Sequence, residues 1–260
     1  MTSLNSHGLR FAFGTLTALP VGVSRWDRAT ARTGMLCAPL AGLAVGLLAA
    51  VPGVLFLLGG SGPLTAAVAS VALPAALTRG LHLDGLADTA DGLGSAKPAE
   101  DALRIMKQSD IGPFGVITLL FVLLAQVAAL FELYGRGWAD GALGTVAAAV
   151  TARLALTLAS RRGVPSARPT GLGAAVAGTV PPGGAAAVAC AAVVCCAGAG
   201  ALLGGYGAAL HLTLAALAGL GAAQLMLRHC VRRFGGVTGD VFGALEETAG
   251  TVALLALSLG

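Results

Sequence analysis

The chain has 260 residues, of which 56% are hydrophobic and only 11% charged, with a formal net charge of +4 and 39 glycines. Mean hydropathy is +0.85. A soluble domain carries about 25% charged residues, so these values exclude one and define a polytopic membrane protein; the modest positive charge implies no nucleic-acid partner.

Taken in order, residues 11–23 are apolar but short, carry Pro20 and run into Arg25, Trp26, Asp27 and Arg28 without a small-residue cleavage pattern. They read as a re-entrant or interfacial helix rather than a signal peptide. The first full span is expected over 34–58, bent at Pro39 and Pro52, and the second over 63–78 after a tight turn at 59–62. Further apolar runs fall at 114–134, 138–159, 183–204, 206–227 and 239–259. This is an all-α helical bundle of about seven transmembrane helices with short interfacial helices, one of them starting at Pro98 with Glu100 and Asp101 in its first turn. No internal repeat divides residues 1–260, which read as one membrane-embedded domain.

With the N-terminus inside, fourteen of the sixteen Lys and Arg residues fall on the cytoplasmic side, Arg136 falls outside and Arg153 lies within a span. Basic residues concentrate in cytoplasmic loops, so this partition supports both the spans and their orientation. The Ala and Gly runs permit close helix packing in lipid. The five cysteines lack metal-type spacing and behave as small hydrophobes.

Between the second and third spans the chain changes character. Residues 79–94 read RGLHLDGLADTADGLG, with Asp84, Asp88 and Asp91 at i, i+4 and i+7. Asp-Gly pairs also mark solvated turns. On a helix, however, the three carboxylates share one face, where their mutual repulsion is unfavourable until a cation joins them. Such hard oxygen ligands suit Mg²⁺, Mn²⁺ or Ca²⁺, and neighbouring glycines let phosphate approach the backbone. His82 points to the opposite side of that helix, so a structural role competes with a substrate contact. The topology gathers this stretch, Lys107 to Asp110, Arg168 and Asp240 at one cytoplasmic surface. Lys107, Arg104, Arg161 and Arg168 are suited to phosphate, although topogenic roles serve equally for Arg161 and Arg162. Arg153, Glu246 and Glu247 lie within spans and must face protein or water, a structural ion pair being the plain alternative to a substrate role. Asp240 and Glu247, seven apart, share a helix face across Gly243 and Ala244.

Residues 80–92, GLHLDGLADTADG, resemble the signature of the cobalamin synthase family, the adenosylcobinamide-GDP ribazoletransferases. Ile105-Met106-Lys107, the run 111–116, Ala167-Arg168-Pro169, Gly171-Leu172-Gly173 and the run 235–240 resemble the same family in the same order. The family pattern differs at Gln108, Asp110 and Ala18. The resemblance implies a Mg²⁺-dependent inner-membrane enzyme of cobalamin biosynthesis that transfers a substituted phosphate group. Its substrates would be adenosylcobinamide-GDP and α-ribazole or its 5′-phosphate, its products adenosylcobalamin or its phosphate and GMP. The candidate set is then Asp84, Asp88 and Asp91 as catalytic metal ligands, Asp240 as a further catalytic carboxylate, and His82, Lys107, Arg153, Arg168 and Glu247 toward substrate.

Two other classes also place acids in a membrane bundle. A CDP-alcohol phosphotransferase also opens its motif Asp-Gly-x-x-Ala, but here Ala87 comes one residue early and is followed directly by Asp88 where Arg is expected. A cation or proton transporter places its acids near the midplane on broken helices, whereas these crowd the cytoplasmic boundary.

Overall fold

The computed structural model describes residues 2–259. Ten helices follow in order: α1 (Thr2–Leu16), α2 (Arg28–Leu58), α3 (Pro63–Leu77), α4 (Leu81–Gly94), α5 (Ala99–Ile105), α6 (Pro113–Arg136), α7 (Trp138–Ala159), α8 (Leu172–Val176), α9 (Pro182–Phe234) and α10 (Gly239–Ser258). Among the described residues no strand forms, only the isolated bridges Arg161 to Val180 and Ser166 to Val237. The all-α membrane bundle is thus the observed architecture.

Several boundaries move for local reasons. The segment expected as a helix over 11–23 is helical only to Leu16, because Pro20 lies in an irregular stretch that leads to α2. The buried Phe11, Ala12 and Leu16 anchor α1 in the bundle. Helix α2 starts six residues before Gly34, since Asp27 caps it by accepting from the Thr30 backbone N–H at 2.8 Å. That bond and the nearby Arg25 also hold the exposed Asp27 carboxyl below its ordinary pKa.

Among the described residues five helices are long and apolar enough to cross a bilayer, or six if the bent pair α3 and α4 counts as one span. Helix α9, at 53 residues, would be about 80 Å long if straight, against a hydrocarbon core of about 30 Å. It is broken at Gly205, whose φ of 75° and ψ of −167° are not helical. A Cβ on Gly200 would lie 2.9 Å from the Ala209 backbone nitrogen, so the chain folds back there into a hairpin of two arms.

Glycine and alanine set the packing distances. A Cβ on Gly46 of α2 would stand 2.9 Å from Val146 Cα and from Ala149 Cβ on α7, so the two helices cross at near backbone contact. In lipid, where apolar side chains gain nothing by leaving the solvent, this close van der Waals fit drives association. One buried cluster gathers Phe11, Met35, Leu156, Phe234 and Leu245 toward the acidic end of the bundle. A second, with Leu130, Tyr134 and Leu257, lies toward the other end, where Ser70 and Tyr134 share a hydrogen bond of 2.8 Å. There Arg136 donates to the carbonyls of Leu257 and Ser258 and closes the C-terminus of α10.

Candidate active site

Helix α4 leaves α3 at 88°. The corner is made by two consecutive left-handed residues, Arg79 (φ 54°) and Gly80 (φ 70°). Gly80 takes that conformation freely, whereas a non-glycine residue there is strained by about 1–3 kcal/mol. The bend lays the acidic helix across the N-terminal end of α10. Glycines bring the two together: a Cβ on Gly85 would sit 2.7 Å from the Asp240 carbonyl oxygen, and one on Gly243 would sit 2.9 Å from that of His82. The helix expected from the aspartate spacing therefore exists, and tertiary packing stabilises a segment whose local propensity is poor.

The three carboxylates of α4 differ in exposure. Asp84 is exposed, Asp88 is half-buried and Asp91 is buried. Neither Asp84 nor Asp88 has a hydrogen bond or ion pair from its side chain among the described residues. Asp88 is surrounded by the negative charges of Asp84, Asp240 and Asp91, with Arg168 the opposing cation.

Asp91 is held by the backbone of a neighbouring helix. Its Oδ2 accepts from the Gly112 N–H at 2.7 Å and its Oδ1 from the Gly115 N–H at 2.9 Å. Gly112 and Pro113 open α6 without a capping side chain of their own, so Asp91 caps that helix from a neighbouring one;. Both oxygens are engaged, which leaves Asp84 and Asp88 as the unengaged pair. Replacing Asp91 by Ala strands two inward-facing donors, and the expected loss is about 2 kcal/mol or more of stability. Thermal unfolding in detergent checks this, and an unchanged midpoint contradicts the cap.

Opposite α4, the chain from Arg161 to Pro181 folds over the start of α10. The Ala167 N–H donates to the Val237 carbonyl at 2.9 Å, and the Val237 N–H to that of Pro165 at 2.9 Å. This seats Arg168, whose Nη2 donates to the Leu103 carbonyl at 2.7 Å and whose Nη1 donates to Asp240 Oδ2 at 3.2 Å. Thr238 donates to the same oxygen at 3.1 Å while its own oxygen caps α10 by accepting from the Val241 N–H. Asp84, Arg168, Asp240 and His82 line a cavity of about 280 Å³ with Ser166, Thr170 and Thr238. Residues distant in sequence thus meet at one end of the bundle, as the topology implied.

The remaining candidates lie elsewhere. Lys107 is exposed on the loop between α5 and α6 and does not line this cavity. Arg104 pairs with Asp101, and Arg161 donates to Gln224 at 2.8 Å. Arg153 is buried at 4% exposure in an ion pair with Glu246. Glu247 accepts from Gln126 Nε2 at 2.8 Å. Both line a separate inner cavity of about 70 Å³, so neither reaches the Arg168 site. Asp240 and Glu247 do share a face, but seven residues advance a helix about 10 Å in depth. His82 belongs to both regions: it lines the two cavities, and its Nδ1 stands 3.7 Å from Glu246 Oε2.

A membrane-embedded helical protein with a carboxylate and arginine site at one end of its bundle is the class these features define. The family model for cobalamin-5-phosphate synthase matches residues 8–258. The adenosylcobinamide-GDP ribazoletransferase of Frankia casuarinae is 45% identical over 96% of this chain and 94% of its own. Those of a Nocardioides species and of Bradyrhizobium diazoefficiens are 42% and 38% identical, each over 95% of this chain and over 96% and 91% of their own. The chain therefore belongs to the cobalamin-5-phosphate synthase family. No solved structure matches it.

Proposed function

We propose that this protein is an adenosylcobinamide-GDP ribazoletransferase, joining adenosylcobinamide-GDP to α-ribazole or its 5′-phosphate and releasing GMP. The observation that carries the reading is the near full-length similarity to proteins of that name, on a chain whose acidic helix faces an arginine-lined cavity.

A divalent cation, Mg²⁺ in this proposal, suits the donor set. Asp84 and Asp88 are one turn apart and otherwise unengaged, while among the described residues no three His, Cys, Asp or Glu side chains converge as metal ligands. That pattern suits an ion held by one or two carboxylates and completed by substrate phosphates and water. Bound there, Mg²⁺ would supply charge neutralisation for the diphosphate.

The chain's own residues supply orientation and proton transfer. Arg168 is pinned by Asp240 and by the Leu103 carbonyl, so its fork is presented to an anion without further ordering. A hydroxyl of ribazole attacks the phosphorus nearest the cobinamide, and a carboxylate of the Asp84, Asp88 and Asp240 group accepts its proton. The bond from that phosphorus to the bridging oxygen breaks, and GMP leaves carrying the guanosine-side phosphate. Purified protein given both substrates and Mg²⁺, with that phosphate labelled, is expected to release all label as GMP. Label in the corrinoid, or no product under any metal condition, rejects the reaction.

In this reading the chain crosses a prokaryotic cytoplasmic (inner) membrane seven times, counting both arms of α9 and the α3–α4 bent pair, with the site facing the cytoplasm. The distribution of basic residues supports it. Ser95→Cys and Ser166→Cys in a cysteine-free background are expected to resist an impermeant thiol reagent in intact cells. Labelling of both from outside overturns the orientation.

A further inference from the structure

Asp84 is a wall shared by two cavities. Besides the one between α4 and α10, a second of about 610 Å³ opens beneath the α3–α4 corner, lined by Thr15, Thr17, Thr78, Arg79 and Ile111 as well as Asp84 and Ala87. The two lie on different sides of α4: Gly85 faces the Asp240 backbone, whereas Ala87, about 200° further round the helix, borders the second cavity;.

Their linings differ in chemistry. The first is small and amphipathic, with Met35, Leu156, Val176 and Phe242 on the apolar side and Thr170 and Arg168 on the polar one. At about 280 Å³ it lies at the low end for small-molecule sites and suits an acceptor of nucleoside size, an apolar base on a sugar. It has no room for a corrinoid. The second is wider and holds Arg79, exposed and with no side-chain hydrogen bond or ion pair among the described residues, on a backbone strained at φ 54°. Such strain persists where the surrounding structure imposes it, and it concentrates at sites of function.

We infer that Arg79 receives the diphosphate of the donor in the cavity beneath the α3–α4 corner, while the α4–α10 cavity takes the acceptor, so that the two substrates meet across Asp84. In-line displacement requires the attacking and departing oxygens on opposite sides of phosphorus, and cavities on two sides of one carboxylate supply that approach.

This rests on the ribazoletransferase reading, and the test separates the two. Steady-state kinetics on the full chain in detergent vary each substrate in turn for wild type, Arg79→Ala and Thr170→Trp, both substitutions being at exposed positions. Arg79→Ala is expected to raise KM for adenosylcobinamide-GDP roughly tenfold or more, the loss of a charge-assisted phosphate contact, with KM for α-ribazole within about twofold. Thr170→Trp, narrowing the mouth of the smaller cavity, is expected to do the reverse. Equal effects on both constants, the opposite pattern, or no change in either overturns the assignment of cavities. A wild-type chain that forms no product rejects the ribazoletransferase reading and the assignment with it.

Discussion

Replacing Asp88 by Asn is expected to lower kcat about a thousandfold or more while leaving the folded protein as stable as before, or slightly more stable. The two effects have opposite signs for one reason. Asp88 is half-buried beside Asp84, Asp240 and Asp91, with only Arg168 opposed to them. Without its charge the i,i+4 repulsion with Asp84 disappears, which is worth about 0.2–0.5 kcal/mol in a helix. The same charge is what a cation and a diphosphate need, and removing several kcal/mol of transition-state stabilisation accounts for the loss of rate. Asp84→Asn is expected to behave likewise. Asp91 stands apart, because the substitution that removes its carboxylate lowers stability by stranding the α6 amides. Melting curves and turnover measured on the same preparations separate the cases. If Asp88→Asn keeps near wild-type kcat, or melts well below the parent, Asp88 is structural and the site assignment falls.

The contrast between Asp88 and Asp91 shows how far the sequence is legible. Spacing placed all three carboxylates on one helix face, and they are there. What it did not reveal is that the far end of that face meets the amides of Gly112 and Gly115, residues 21 and 24 positions away. The signal was present on the other side of the contact, in the Gly-Pro that opens α6 with no capping side chain. Arg168 and Asp240 were placed at the same surface by topology alone, but the segment from Arg161 to Pro181 has no period, and the backbone bonds that tie its Pro165 and Ala167 to Val237 are tertiary. Glu247 was grouped with Asp240 because periodicity gives azimuth around a helix without giving the depth at which neighbours approach. Within α9, the apolar runs at 183–204 and 206–227 place a boundary at Gly205, and the helix breaks there. The left-handed backbone of that glycine becomes visible only when the two arms lie side by side.

The second large effect is expected inside the bundle. Arg153 and Glu246 are an ion pair with side chains 4% and 5% exposed, and among the described residues Arg153 Nε and His82 Nδ1 have no hydrogen-bond partner. An unpaired arginine at the centre of a span costs about 2.5–3.5 kcal/mol on insertion scales, and breaking a buried pair in a protein costs about 3–5. Interhelical hydrogen bonds in membranes are worth only about 0.6–2 kcal/mol, so the stranded charge outweighs the lost bond. Glu246→Ala is therefore expected to destabilise by about 3 kcal/mol, whereas Arg153→Met in the same chain restores most of that, since no charge is then left over. The coupling between the two positions should exceed about 1 kcal/mol. Activity follows a different rule. Glu246 faces His82, whose carbonyl packs against Gly243 at the crossing of α4 on α10, so the double variant is expected to regain stability without regaining the full rate. Additive losses in the double-mutant cycle would show that the pair is not energetically coupled. Full recovery of rate with the apolar double variant would show that α4 is held by its glycine contacts alone.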